Sequence, residues 1–126
     1  MAKIYYVGAQ LSKHDSKWLG SDKLLHVTLI YSRAWFPYKP QVDKYPLVIV
    51  PPFIEDYFGL VRVIRFNDYG LERRHNEFIA AGATWDYEGF KSHISIPHQK
   101  DLMDKLEFTK FMVLTHEYYM TWDEKE

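Results

Sequence analysis

His26-Val27-Thr28-Leu29 and His93-Ile94-Ser95-Ile96 express one chemical idea twice: histidine, aliphatic, hydroxyl residue, aliphatic. On a β-strand, residues i and i+2 share a face. Each tetrad therefore aims an imidazole and a hydroxyl at one side and buries two aliphatics on the other. Two such strands facing one cleft supply two proton carriers and two phosphate-binding hydroxyls. That is a sufficient kit for metal-free phosphodiester cleavage. One imidazole takes the proton of a ribose 2′-hydroxyl, and the other protonates the leaving 5′-oxygen. Thr28 and Ser95 donate to the non-bridging oxygens, where charge builds in the transition state. An imidazole titrates near pH 6.5, so one ring is neutral and the other charged at working pH. Residue types alone do not say which histidine is the base. Among six histidines, one His-x-Ser arises by chance, and His14-Asp15-Ser16 is such a case in a polar stretch. Two copies with aliphatics at both other positions are far less expected. The competing reading is two half-buried strands with incidental histidines.

The neighbouring residues carry a resemblance. Leu24-Leu25-His26-Val27-Thr28-Leu29-Ile30-Tyr31-Ser32 resembles the first motif of the 2H phosphoesterase superfamily. The second half is similar too: Gly82-Ala83, Trp85-Asp86-Tyr87, Phe90, then His93-Ile94-Ser95-Ile96. Within that superfamily the chain looks most like the small phage anti-CBASS nucleases, from about Lys3 to Trp122. The resemblance implies a single domain over 1–126 with a bilobal α+β fold, two antiparallel-sheet lobes with flanking helices around a central cleft. It implies His26, Thr28, His93 and Ser95 as catalytic residues, no metal and no cofactor. The implied substrate is a cyclic di- or oligonucleotide second messenger of bacterial antiphage defence. Two further residues carry over: Glu117, as a glutamate beside the substrate near the C-terminus, and Tyr6, as a base-stacking residue on the first strand. Ser95 stands where threonine is commoner; it keeps the hydroxyl and loses the methyl that stiffens χ1.

Composition bounds the alternatives. A chain of 126 residues is long enough for one core, and 47% hydrophobic with 26% charged residues is ordinary for a globular protein. There are no cysteines, hence no disulfide and no thiolate metal site. The start, Met1-Ala2-Lys3, has no apolar signal segment, and the run from Pro46 to Ile54 is too short to span a bilayer; a cytoplasmic protein is expected. A net charge of −1 argues against a binder of long nucleic acid, which usually carries a basic face. A ligand with a few phosphates needs only a local basic rim, for which Arg33, Lys39, Lys44, Arg62, Arg65 and Lys91 are candidates. The 10 Tyr, 8 Phe and 4 Trp offer base-stacking faces. Trp85, Tyr87 and Phe90 precede the second tetrad; Trp35, Phe36 and Tyr38 follow the first. The oligomeric state is not legible.

The elements that must hold the tetrads read as follows. Strands are expected at 4–11, 24–31, 47–50 and 57–66, then at 93–96, 110–115 and 117–122. A short helix or turn is expected at 12–19, ending at Gly20. A second follows an Asp68 N-cap, with Leu71, His75, Phe78 and Ile79 at helical spacing and Gly82 after its end. A third is expected at 99–106. His75 reads as a core-edge helix residue, 32–45 as a long loop, and 123–126 as a frayed tail. Other readings of the tetrads stay open: a 2′,3′-cyclic phosphodiesterase acting on RNA ends, or a binder that sequesters a cyclic nucleotide. A metal site built on His26, His93 and a carboxylate leaves the paired hydroxyls without a role.

Overall fold

A computed structural model describes residues 2–97 and 102–124. Its strands are β1 (Lys3–Leu11), β2 (His26–Ser32), β3 (Leu47–Ile49), β4 (Ile54–Phe58), β5 (Val61–Arg65), β6 (His93–Ser95) and β7 (Met112–Asp123). They form one antiparallel sheet in the order β3-β7-β1-β2-β6-β5-β4. With the helices α1 (Lys13–Trp18), α2 (Tyr69–Ala80) and α3 (Leu102–Phe108), the fold is α+β. The two tetrad strands are neighbours at the sheet's centre, joined by the single pair Val27↔Ile94.

The core lies on one face of this sheet. Val7, Ala9 and Leu11 of β1, Leu29 of β2, Ile64, Ile94 and Leu114 are fully buried there, with Leu71 and Phe78 of α2 packed against them. Burying each large aliphatic contributes about 1.5–3 kcal/mol. Helix α2 is defined at both ends. The Asp68 side chain accepts the Leu71 N–H at 3.0 Å. At the far end Gly82, with φ +111, donates to Ile79 and Ala83 donates to Phe78, a glycine-dependent C-terminal lock.

Three departures from the sequence reading have local causes. The stretch 57–66 is not one strand: Gly59, with φ +64, and Leu60 form a two-residue turn between the paired Phe58 and Val61. Glycine at the first turn position matches the twist of the flanking strands, so Ile54–Phe58 becomes a strand of its own. The stretches 110–115 and 117–122 are one strand. Its register slips between Gln10 and Leu11, which pair with His116 and Leu114, so Thr115 is an extra residue, a bulge rather than a break. Asp123 ends β7, and Glu124 donates its N–H to the Ala2 carbonyl and pairs with Arg33, so that part of the expected tail is held. Of the third helix, residues 99–101 lie outside the described residues.

Candidate active site

The site is built from strand register. Val27 and Ile94 are both fully buried, and their pairing sets the antiparallel register around them. Thr28 therefore lies opposite His93, and His26 opposite Ser95. All four side chains point to the face away from the core. Directly opposed side chains start roughly 4.5–5.5 Å apart at Cβ, and the diagonal His26–His93 pair roughly 7–8 Å. Two imidazoles at that separation can reach opposite oxygens of one phosphate.

A second register device shapes the wall. In β2, Thr28 pairs with Gly8 and Ile30 with Val7, so Leu29 is an extra residue. The bulge re-phases the strand. Leu29 and Ile30 are both fully buried, while His26, Thr28 and then Tyr31 share the open face. The carbonyl of Leu29 accepts from His75 Nδ1 at 2.7 Å. That buried ring stacks on Phe90, with centroids 4.4 Å apart, and meets Trp85 edge-on at 4.6 Å. His75 thus joins the bulge to the loop carrying Trp85, and burial holds its pKa below the ordinary imidazole value.

A cavity of about 640 Å³ opens on this face; its walls include Thr28, His93, Ser95, Tyr31, Phe58, Trp85, Tyr87 and Lys91. This is large enough for a nucleotide-sized ligand. His93 is oriented by its Nδ1, 2.7 Å from the Lys91 carbonyl, so Nδ1 carries the proton there and Nε2 is left for chemistry. Phe58 packs edge-on against the ring at 4.6 Å. His26 is exposed on one side and flanked on the other by Tyr6 and Tyr118, with centroids 6.1 and 6.2 Å away. Desolvation by these neighbours, and then the nearby His93, lower its pKa. His26 therefore favours the neutral form.

The remaining candidates fall in different places. Tyr6 is on the site face, buried, with its hydroxyl 2.9 Å from Thr28 Oγ1. Trp85 is in the cavity wall, its indole N–H donating to the Gly89 carbonyl. Arg33 lies just past β2, its guanidinium 6.0 Å from the Tyr31 centroid, and pairs with Asp86 and Glu124. Glu117 is on the opposite face. Its carboxylate is enclosed and pairs with Arg74 at 2.9 Å, so the glutamate expected beside the substrate lies on the face away from the cavity. Parity explains this: Tyr118, Met120 and Trp122 of β7 share the site face, and Glu117 alternates with them. The loop after the first tetrad behaves likewise. Phe36 is buried against Phe78, and Tyr38 stacks on Phe78 and Tyr119, away from the cavity. Of the basic-rim candidates, Lys91 lines the cavity, while Arg62 pairs with Glu55 and Arg65 with Asp56.

Sequence reasoning did not single out Tyr118 or Trp122. Trp122 packs against Tyr6 at 5.9 Å and Tyr31 at 5.8 Å, and Tyr118 against Tyr6 at 5.9 Å. Their signal was the alternation Tyr118, Met120, Trp122 in a strand with no tetrad. Among the described residues no three His, Cys, Asp or Glu side chains gather as a metal-binding group, and no helix is long and apolar enough to cross a membrane.

Comparison with known proteins adds two findings. Residues 9–126 match the model of the family described as anti-CBASS protein Acb1. An anti-CBASS protein Acb1 from Escherichia phage RB16 is 30% identical over 87 residues, which is 67% of this chain and 50% of that protein. The chain thus spans about half the length of this curated relative.

Proposed function

From the chain's membership of the anti-CBASS protein Acb1 family, we propose that it is a metal-independent phosphodiesterase of phage counter-defence. It cleaves 3′–5′ linkages of cyclic di- or oligonucleotide messengers in the host bacterial cytoplasm. The observation that carries this reading is the Val27↔Ile94 register. It makes one quartet of His26, Thr28, His93 and Ser95, of which three line the same cavity. The site then belongs to the paired-histidine, 2H type. The two halves of the sheet, meeting at that single pair, act as its two lobes.

In this mechanism His26, whose pKa is lowered by desolvation and then by His93, is the base. It removes the 2′-hydroxyl proton as the 2′-oxygen attacks phosphorus. His93, held by the Lys91 carbonyl through Nδ1, gives the Nε2 proton to the departing 5′-oxygen. Thr28 and Ser95 donate to the non-bridging oxygens as charge grows there. The products are a 2′,3′-cyclic phosphate and a free 5′-hydroxyl. The rings of Tyr31, Trp85, Tyr87 and Phe58 offer base platforms that tolerate different bases. Lys91 is a cation in the same wall, and Arg33 is a second at the cleft margin.

The test is incubation with a panel of cyclic di- and trinucleotides and an RNA ending in a 2′,3′-cyclic phosphate, in excess EDTA, with products read by mass spectrometry. The expected products are linear nucleotides ending in 2′,3′-cyclic phosphate. A ligand with 2′-deoxyribose at the scissile linkage should bind and stay intact. Cutting of that analogue, or activity lost in EDTA and restored by a divalent ion, overturns the mechanism. Turnover of the RNA end alone shifts the substrate class.

A further inference from the structure

Three successive cross-strand neighbours on the site face are Tyr118 of β7, Gly8 of β1 and Thr28 of β2. The middle one has no side chain, and the space is used. A Cβ at Gly8 would lie 2.7 Å from the Tyr118 hydroxyl, 2.8 Å from its Cζ and 2.9 Å from the Tyr6 hydroxyl. The ring of Tyr118 thus lies across the glycine, and two phenol oxygens meet over its backbone. The two rings pack together, with centroids 5.9 Å apart, and the Tyr6 hydroxyl is 2.9 Å from Thr28 Oγ1. That contact ends at a residue of the proposed phosphate-binding quartet.

A threonine hydroxyl has one proton and two acceptor lone pairs. If Thr28 gave its proton to Tyr6, it would have none for a phosphate oxygen. With Tyr6 donating to Thr28, the threonine proton is left to point into the cavity. Linked hydroxyls also polarise one another, strengthening the last donor. Tyr6 is 7% exposed, its ring enclosed by His26, Tyr118 and Trp122. Its oxygen, more than its face, is what meets the site.

We propose that Tyr6 is a positioning residue whose hydroxyl donates to Thr28 Oγ1 and so turns the Thr28 proton toward the phosphate, and that Gly8 is the gap over which the Tyr6 and Tyr118 phenols settle. This rests on the reading of Thr28 as a phosphate donor.

Steady-state kinetics on a cleavable cyclic nucleotide test it with Tyr6→Phe, Gly8→Ala, Thr28→Val and the Tyr6→Phe/Thr28→Val double variant. Tyr6→Phe removes one oxygen and keeps the ring, and circular dichroism checks the fold. Tyr6→Phe should lower kcat about tenfold, the scale of one hydrogen bond, with KM little changed. Gly8→Ala displaces both hydroxyls and should resemble Tyr6→Phe. In the Thr28→Val background Tyr6→Phe should cost nothing more, because it acts through a hydroxyl already gone. A Tyr6 that serves only to stack on a base predicts a silent Tyr6→Phe, and wild-type kcat in that variant overturns the positioning role. So does a Tyr6→Phe loss that persists undiminished in the Thr28→Val background. Wild-type kcat in Gly8→Ala overturns the role given to the glycine. Thr28→Val at wild-type kcat instead overturns the functional reading beneath it.

Discussion

Both faces of the sheet gather tyrosines around polar groups, and they differ in what remains unsatisfied. On the helix face, Glu117 accepts from Arg74 Nε and Nη2 at 2.9 Å and from the Tyr38 and Tyr45 hydroxyls at 3.1 Å. Those contacts fill the acceptor capacity of an ionised carboxylate. Burial and the Glu117 charge push the Tyr38 phenol up to about 12 and Tyr45 higher still. Arg74 also donates to the Lys39 carbonyl and lies over the Phe78 ring. On the cavity face, the His93 ring is bonded only through Nδ1, and among the described residues the side chains of His26 and Ser95 have no hydrogen-bond partner. A saturated network holds α2, β7 and the 33–45 loop together. A network with spare donors and acceptors is free to meet a ligand.

The strongest way to break this comparison is to remove the histidines. His26→Ala and His93→Ala should each lower turnover about 10²–10⁴-fold. The double variant should fall little further, since residues acting as a unit are non-additive. Near wild-type turnover in a folded single variant would end the paired-histidine reading.

Glu117→Ala should strike stability instead. Its carboxylate side chain is 2% exposed and that of Arg74 9%, so the change leaves a buried guanidinium short of its partner, at a cost of about 3–5 kcal/mol. Urea denaturation measures it. Unchanged stability with lost turnover would return Glu117 to the ligand and erase the contrast between the faces.

Ser95→Ala should be milder, about 2–4 kcal/mol of transition-state stabilisation on the scale of one oxyanion donor. It appears in kcat with the urea midpoint unmoved. A shifted midpoint would make Ser95 part of the scaffold.

The smallest effect concerns pH. Burial lowers the folded-state pKa of His75, and desolvation lowers that of His26. An unfolded imidazole therefore binds its proton first as pH falls below about 6.5. Stability is complete above that value and declines through the window down to the folded pKa values. His75→Asn keeps an amide donor for the Leu29 carbonyl and should flatten this decline in thermal melts at successive pH values. An unchanged slope would mean that His75 does not contribute to it. The acid limb of kcat/KM, set by His26 as base, should likewise lie below the ordinary imidazole value.

Much of this architecture is local enough to read along the chain. Alternation decides which aliphatics of each tetrad go inward, because a strand has only two faces; Val27, Leu29 and Ile94 are fully buried. Asp68 and Gly82 bracket α2 through chemistry at single positions. The Gly59 turn is local too, yet the apolar residues on both sides of it read as one continuous strand.

Three matters were decided only by tertiary structure, each by pairing between residues far apart in sequence. The Val27↔Ile94 register joins strands 67 positions apart, and no local pattern encodes which residue meets which. The β2 bulge at Leu29 becomes visible only against β1, and it determines that Tyr31 and not Ile30 joins the open face. The parity of β7, set by pairing with β1, sends Glu117 to Arg74 and Tyr118 to the cavity side. Composition and spacing determined the chemical inventory and the inward faces. Long-range hydrogen-bond register decided which of those groups meet, because a slip of one residue exchanges every side chain between the faces.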